Sequence, residues 1–434
     1  MKPTIQFVVV IAAGALAFSQ AFAQTQGDTK QRVRTARDLG KQGEQGIPKL
    51  APFVTDTDIS VRVEAVRSLV EIGGPKTVDL LVQASHDPDP EIQIRSTDGL
   101  VNVYLPGYIK TGISGTLQRV GDAVKVKFSD TNDQIIDAFV EVRPDVIEAL
   151  GRLAVSGASL ESRANACRAV GILRGRAAIP QLAEALHSKD NQTMYEALVA
   201  LQKIRDPSSA SRVTFLVHDL DERVQLAAIQ AAGLLLDKEA APDLRDVLGR
   251  TRSTRVRHAA TSSLAMLADP IDRESFLRDL ADQKDDSLRA SGAEGLGRLK
   301  NPTDRPAVEM AFNAEHKINP RLSEAFAVVS LGNLDTSEFS ALRYLVNTLN
   351  QKLYQGVALP FLVELARDPA VRQTLYPLLT GAATKDEKIQ LGVVLARSGD
   401  KDSVPYLETL STDQDSEVAQ ESIRNLRTLR ARLP

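Results

Sequence analysis

What most constrains this chain is that it repeats itself. Segments Ile172–Leu186, Lys203–Val217, Leu234–Leu248, Met266–Leu280 and Arg298–Phe312 align at offsets of 31, 31, 32 and 32 residues. One column of that alignment holds Leu182, Val213, Leu244, Phe276 and Val308, and another holds Leu186, Val217, Leu248, Leu280 and Phe312. An earlier pair, Ile59–Leu69 and Glu91–Leu100, matches at an offset of about 31. Two apolar columns held in phase over five copies mean one structural unit used repeatedly. A unit of this size cannot bury a core alone and must stack on its neighbours.

The spacing inside each copy is helical. Val224, Ala227, Ala228, Ala231 and Leu235 fall at i, i+3, i+4, i+7 and i+11, and Val256, Ala259, Ala260, Leu264 and Leu267 form a similar stripe. A second helix is expected to open on Pro48, Pro180, Pro242, Pro306, Pro360 or Pro405, because proline lacks the amide that a first turn leaves unpaired. Breakers separate the two helices at Asp206-Pro207, Asp269-Pro270, Asn301-Pro302 and Gly399-Asp400. Asp58, Asp89, Asp221, Asp286 and Asp415 stand between units as N-cap candidates. The expectation is an all-α chain, an α-solenoid in which helical hairpins of about 31 residues stack into a superhelix.

This pattern resembles the HEAT repeat, and in particular its short variant from phycobilisome-lyase-type proteins. The resemblance rests on Asp58–Arg62 and Asp286–Arg289 at first-helix entries, on Val61-Arg62, Val256-Arg257 and Leu288-Arg289, and on Gly295-Leu296-Gly297 and Ser330-Leu331-Gly332 at helix ends. It extends over residues 30–434 and implies a single array of about twelve units over 24–434. What it implies is the fold, since such arrays host unrelated functions. The rhythm breaks in two places. A loop insertion spans 106–115, flanked by a helix expected near Thr116–Phe128, and residues 350–383 keep helical spacing without the consensus. A final Arg-rich helix near 416–432 reads as a polar cap.

Residues 1–23 read as an address. Lys2 precedes an apolar run from Phe7 to Phe18, and Ala21 and Ala23 place small residues before Gln24, as a signal-peptide cleavage site requires. That run is too short for a permanent membrane span. No Cys follows it for lipid attachment and no twin Arg precedes it. The expectation is an exported protein, periplasmic or secreted, with no transmembrane segment in the mature chain.

Composition narrows the function classes. Lys+Arg number 53 against 56 Asp+Glu, for a net charge of −3, and loss of Lys2 with the leader makes it −4. Neither value suits nucleic acid. Aromatic residues are 4% with no Trp, too few for stacking platforms. The single Cys167 excludes disulfides and cysteine-rich metal sites, and its small-residue helix stripe reads as a buried thiol. Of five histidines, His86, His187 and His218 follow second helices, where a cation meets the negative helix end. Deoxyhypusine hydroxylase, a HEAT-like enzyme, binds iron through His-Glu pairs. Here the histidines are followed by Asp87, Ser188, Asp219, Ala259 and Lys317. Gly292, Gly295 and Gly297 follow no strand and are not a dinucleotide loop; they allow helices to approach. Gly112-Ile113-Ser114-Gly115 is one residue short of a nucleophile elbow.

No cofactor, metal or catalytic set is expected. Two partner-binding candidates remain: Tyr104, Tyr108 and Lys110 at the insertion, and Arg250, Arg252 and Arg255 at an inter-unit turn, where Arg257 and His258 adjoin them. The Arg group equally suits a solvated face paired with Asp243 and Asp246. The functional expectation is an exported scaffold or adaptor that binds a protein or peptide partner. The alternative, by analogy with the lyase-type relatives, is a lyase- or chaperone-like protein acting on a cofactor-bearing protein.

Overall fold

The computed structural model describes residues 28–108, 134–382 and 384–433. The leader expected at 1–23, Lys110, most of the insertion, the Gly112–Gly115 stretch and the helix expected near 116–128 lie outside the described residues. Among the described residues every regular element is an α- or 3-10 helix. Packing divides the described residues into two compact bodies, one of 28–108, 134–136 and 142–204, the other of 137–141, 205–382 and 384–433.

The first body contains α1 (28–40), α2 (Ile47–Val54), α3 (Ile59–Ile72), α4 (Val78–Ala84) and α5 (Pro90–Tyr104). After the insertion come α6 (Pro144–Ser156), α7 (Leu160–Ile172), α8 (Ile179–Ala185) and α9 (Asn191–Ile204). One layer holds α3, α5, α7 and α9, and the other holds α2, α4, α6 and α8, so odd and even helices alternate between layers.

The second body continues the alternation. It contains α10 (Glu222–Leu234), α11 (Ala241–Arg250), α12 (Thr254–Leu267), α13 (Arg273–Leu280), α14 (Asp286–Leu299) and α15 (Arg305–Ala314). Then follow α16 (Ile318–Ser330), α17 (Ala341–Thr348), α18 (Gln355–Leu365) and α19 (Pro369–Thr380). It ends with α20 (Lys385–Ser398), α21 (Val404–Leu410) and α22 (Ser416–Arg430). Even-numbered helices here form a first layer of longer helices in side-by-side contact. Residues 350–383 supply α18 and α19, and the C-terminal cap is α22.

The apolar columns form the core. Leu182, Val213, Leu244 and Val308 are fully buried and Phe276 nearly so, as are Leu186 and Val217 of the second column. Leu248 departs from this: it is half-buried, and Val247 takes the inward position instead. The α10 stripe of Val224, Ala227, Ala228, Ala231 and Leu235 is buried throughout.

Caps fall where carboxylates meet free amides. Asp58, Asp89, Asp221 and Asp415 each accept a first-turn amide. At α14 the cap is Asp285, not Asp286: Asp285 accepts the amides of Ser287 and Leu288, which leaves Asp286 as the first helical residue. Pro48, Pro180, Pro242, Pro306 and Pro405 occupy first turns. Pro360 lies in the middle of α18, because that helix begins earlier, at Gln355. The expected breakers form capped 3-10 turns, with Asp206, Asp269, Asn301 and Asp400 each accepting the amide two residues on.

A further column comes from the backbone. Arg174, Arg205, Leu236, Ala268 and Lys300, again 31 or 32 residues apart, all have φ between 50° and 58°, and Gly332 continues the series at 91°. Left-handed residues end helices and turn the chain back. The reversal is closed by the amides of Gly175, Asp237 and Asn333, which donate to the carbonyls of Val170, Ala232 and Val328. Between units, close approach needs missing side chains. A methyl at Gly171 would stand 2.7 Å from the Cα of Ala200, and one at Gly297 would stand 2.8 Å from that of Ala327.

Side chains four residues after the caps bind each turn to its helix. Arg62 Nη1 donates to Asp56 O at 2.9 Å, Gln93 Nε2 to Asp87 O at 2.7 Å, Gln225 Nε2 to Val217 O at 2.9 Å and Arg289 Nη1 to Asp282 O at 2.9 Å. Arg62 and Arg289 also reach a carboxylate of the next hairpin, Asp87 at 2.6 Å and Glu315 at 2.7 Å. Arg257, at the equivalent position of α12, is exposed.

Candidate functional site

The second body has a pocket of about 360 Å³ where the N-terminal turns of α12, α14 and α16 lie side by side. Three successive first-layer helices line it, each from different positions of the repeat. From α12 come His258 and Ser262, from α14 Asp286, Ser287, Ala290 and Ser291. From α16 come Lys317 through Pro320, and Tyr354 closes the rim from the turn before α18.

Its charges are held by cross-hairpin bonds. His258 Nε2 lies 2.8 Å from Asp285 Oδ2. Burial pushes the Asp285 carboxyl up, but the His258 ring and the Leu288 and Ser287 amides outweigh it and hold the group below the usual range. Lys317 Nζ lies 2.8 Å from Asp286, and that bond keeps the Asp286 carboxyl low as well. Beside them Arg289 meets Glu315 at 2.7 Å and Asp286 at 3.0 Å. Glu315 Oε1 accepts the amides of His316 and Lys317, both at 2.8 Å. The outcome is a polar cleft whose charges are paired across hairpins.

Chemically the cleft can receive hydrogen bonds from an extended chain: hydroxyls, an ammonium group, a carboxylate and Asn319 all reach its surface. None of the three serine hydroxyls is hydrogen-bonded to the His258 ring, whose Nε2 is engaged by Asp285. Among the described residues no group of three His, Cys, Asp or Glu side chains is placed to hold a metal ion. Burial pushes the free Cys167 thiol up, so it is not a reactive thiolate at neutral pH.

The candidates read from sequence are placed elsewhere. The Tyr104 hydroxyl, at the end of α5, accepts the Arg143 amide at 3.3 Å. Tyr108 is half-buried; burial raises its pKa, while a hydrogen bond with Arg168 opposes that. Arg250, Arg252 and Arg255 do not converge. Arg250 pairs back along its helix with Asp246 at 2.8 Å, Arg255 pairs with Glu222 on α10 at 2.5 Å, and Arg252 stands exposed in the turn between them. Asp243 is bound instead by His218, at 3.3 Å. His86 Nδ1 lies 3.0 Å from Val82 O, consistent with a ring seated at a helix C-terminus. Sequence reasoning passed over Asp286 and Lys317 as a pair, although their 31-residue separation was the available signal.

Comparison with known proteins bears on the fold. The family model described as HEAT repeats matches residues 18–100 and 211–297. No curated protein matches the chain. Among solved structures, a complex of CpcE and CpcF of phycocyanin lyase from Nostoc sp. PCC7120 is 18% identical with a TM-score of 0.37, over 62% of this chain and 92% of that one. An engineered protein is 21% identical with a TM-score of 0.38, over 88% of this chain and 98% of its own. Human deoxyhypusine hydroxylase is 16% identical with a TM-score of 0.27, over 66% and 96%. No described helix is long and apolar enough to cross a membrane. With its paired helices and its 31-residue register, the chain is all-α, and it is similar to HEAT repeats over residues 18–100 and 211–297.

Proposed function

We propose that this protein is an exported scaffold that binds a protein partner through an extended segment and performs no chemistry of its own. The observation that carries the reading is the polar cleft on α12, α14 and α16. Three successive hairpins offer polar groups there, and the adjoining charges are already paired. Such a cleft suits an extended peptide, which can reach polar groups on several helices at once. Export rests on the leader at 1–23. Few aromatic anchors mean an interface of modest affinity, strengthened by length.

A photo-crosslinking residue at the exposed Asn319, introduced in the protein's own host, tests this. One discrete protein crosslinked from the envelope fraction, and lost on Lys317→Glu, is the expected result. Native mass spectrometry of the purified complex should then show a mature chain starting at Gln24 together with the partner's mass. A small bound molecule in place of a protein, or a chain that starts at Met1, would overturn the reading.

A further inference from the structure

Three successive turns lead into α12, α14 and α16, the helices that line the polar cleft. The residue just before each cap is basic: Arg252 before Ser253, Lys284 before Asp285 and His316 before Lys317, at steps of 32 residues. α12 packs on α14, and α14 on α16. Equivalent points on packed helices stand about 8–10 Å apart, so the three form a row. All three side chains are exposed, and none has a hydrogen bond or ion pair among the described residues.

Arg257 adds a fourth cation, for a reason visible in the repeat. Arg62 and Arg289 hold the same place after their caps, and each reaches a carboxylate two residues before the next cap, Asp87 or Glu315. For Arg257 that place is taken by Gln283, and the exposed guanidinium has no partner among the described residues. The carboxylates of the three turns are by contrast all engaged. Asp282 accepts the amides of Lys284 and Asp285, and Asp285 faces His258. Asp286 is shared by Lys317 and Arg289, and Glu315 is held by Arg289. The unpaired charge along this edge is therefore of one sign, in a chain whose net charge is −3.

We infer that the partner of the polar cleft is an acidic protein segment, whose carboxylates meet Arg252, Arg257, Lys284 and His316 while its backbone lies along the cleft. The inference rests on the scaffold reading and adds the partner's chemistry to it. Complementary charge steers encounter and fixes register. A segment in the extended polyproline form advances about 3.1 Å per residue with three residues per turn, so an acid at every third position recurs on one side about every 9 Å. That interval matches the row. A cleft of about 360 Å³ admits a chain segment and not a flat lipid surface, and the negative net charge of the chain opposes a long nucleic acid.

Fluorescence anisotropy of the full mature chain with a labelled peptide of about four Glu-Pro-Pro repeats, and with its Gln-Pro-Pro counterpart, tests this. The acidic peptide should bind roughly tenfold more tightly or better at low salt, and lose that advantage as sodium chloride is added. Arg252→Glu and Lys284→Glu should each weaken it roughly fivefold with unchanged melting temperature, because both side chains are exposed and make no bond. Arg278→Glu, at an exposed arginine of α13, should leave it unchanged. Four results would overturn the inference: equal affinity for the two peptides, no binding of the acidic peptide up to ~1 mM, an equal loss in Arg278→Glu, or tighter binding of a thymidine oligonucleotide. The crosslink at Asn319 decides the scaffold reading separately. A neutral or basic protein segment captured there would leave that reading standing and remove this one, whereas no captured protein would remove both.

Discussion

Hairpins α10–α15 and helices α16–α22 alternate between the same two layers but fill the space between them differently. In the first stretch the contacts are made by small residues. Gly233 faces the backbone of Ser263, and Gly292 faces the Leu280 amide and Phe276 carbonyl, each at a distance that leaves no room for a methyl group. In the second stretch rings take over. Phe326 stacks on Phe361 with centroids 4.8 Å apart, Tyr376 stacks on Tyr406 at 4.0 Å, and the Arg321 guanidinium lies over Phe312 and Tyr344 at 5.0 and 4.8 Å. The turns differ as well. A left-handed residue followed by Asx-Pro closes the α12 and α14 hairpins, whereas Pro360 and Pro377 sit inside α18 and α19. A repeat consensus therefore records one way of closing the layers, and its loss need not mean loss of the architecture.

The regular stretch breaks most easily at its core column. Leu244 is fully buried, and Leu244→Asp places a carboxylate with no partner among apolar neighbours. A loss of about 4 kcal/mol or more is expected in urea melts. Wild-type melting would show that the column does not form the core of that hairpin.

Glu324, on α16 where the two stretches meet, sharpens the comparison through pH. It is 1% exposed with Oε2 unpartnered. Burial pushes it up to about 7, helped by Glu315 and opposed by Arg289 and Arg321. Because the folded pKa exceeds the unfolded one, the folded chain keeps a proton that the unfolded chain has released between about pH 4.5 and 7. This group therefore lowers stability progressively as pH rises through that window. Glu324→Gln should raise stability by roughly 2–3 kcal/mol at pH 8 and by almost nothing at pH 4.5. An equal effect at both pH values would mean that the carboxyl titrates normally.

The smallest expected effect separates packing from propensity. Gly292→Ala would set a methyl 2.6 Å from two backbone atoms of α13 and should cost about 1–3 kcal/mol. Gly249→Ala, with nothing within 4 Å, should be neutral or stabilising by up to ~1 kcal/mol. Similar melting temperatures for the two variants would show that the helices can separate freely there.

Much of this was legible beforehand for a physical reason: it is local. Burial of Leu182, Val213, Leu244, Phe276 and Val308 follows from helical spacing at a fixed period, and Asp58, Asp89, Asp221 and Asp415 cap because they stand just before an apolar stripe. One-residue ambiguities stayed hidden. Asp285 and Asp286 are chemically equal, and only the bond from Lys317 to Asp286 with the amides turned toward Asp285 tells them apart. The left-handed column escaped notice because its residues are Arg, Leu, Ala and Lys, side chains that do not advertise a positive φ. Arg250, Arg252 and Arg255 are adjacent in sequence but are drawn to different carboxylates or to none.

By itself the sequence determined the all-α class, the hairpin unit, its period and most of its caps, since each depends on residues within a turn or two of one another. Tertiary structure decided which donors line one cleft and that Glu324 has a buried carboxyl oxygen without a partner. Those juxtapositions depend on how helices distant in sequence are stacked. The angle of stacking is set by the summed contacts of many small side chains, and no local pattern of residues carries it.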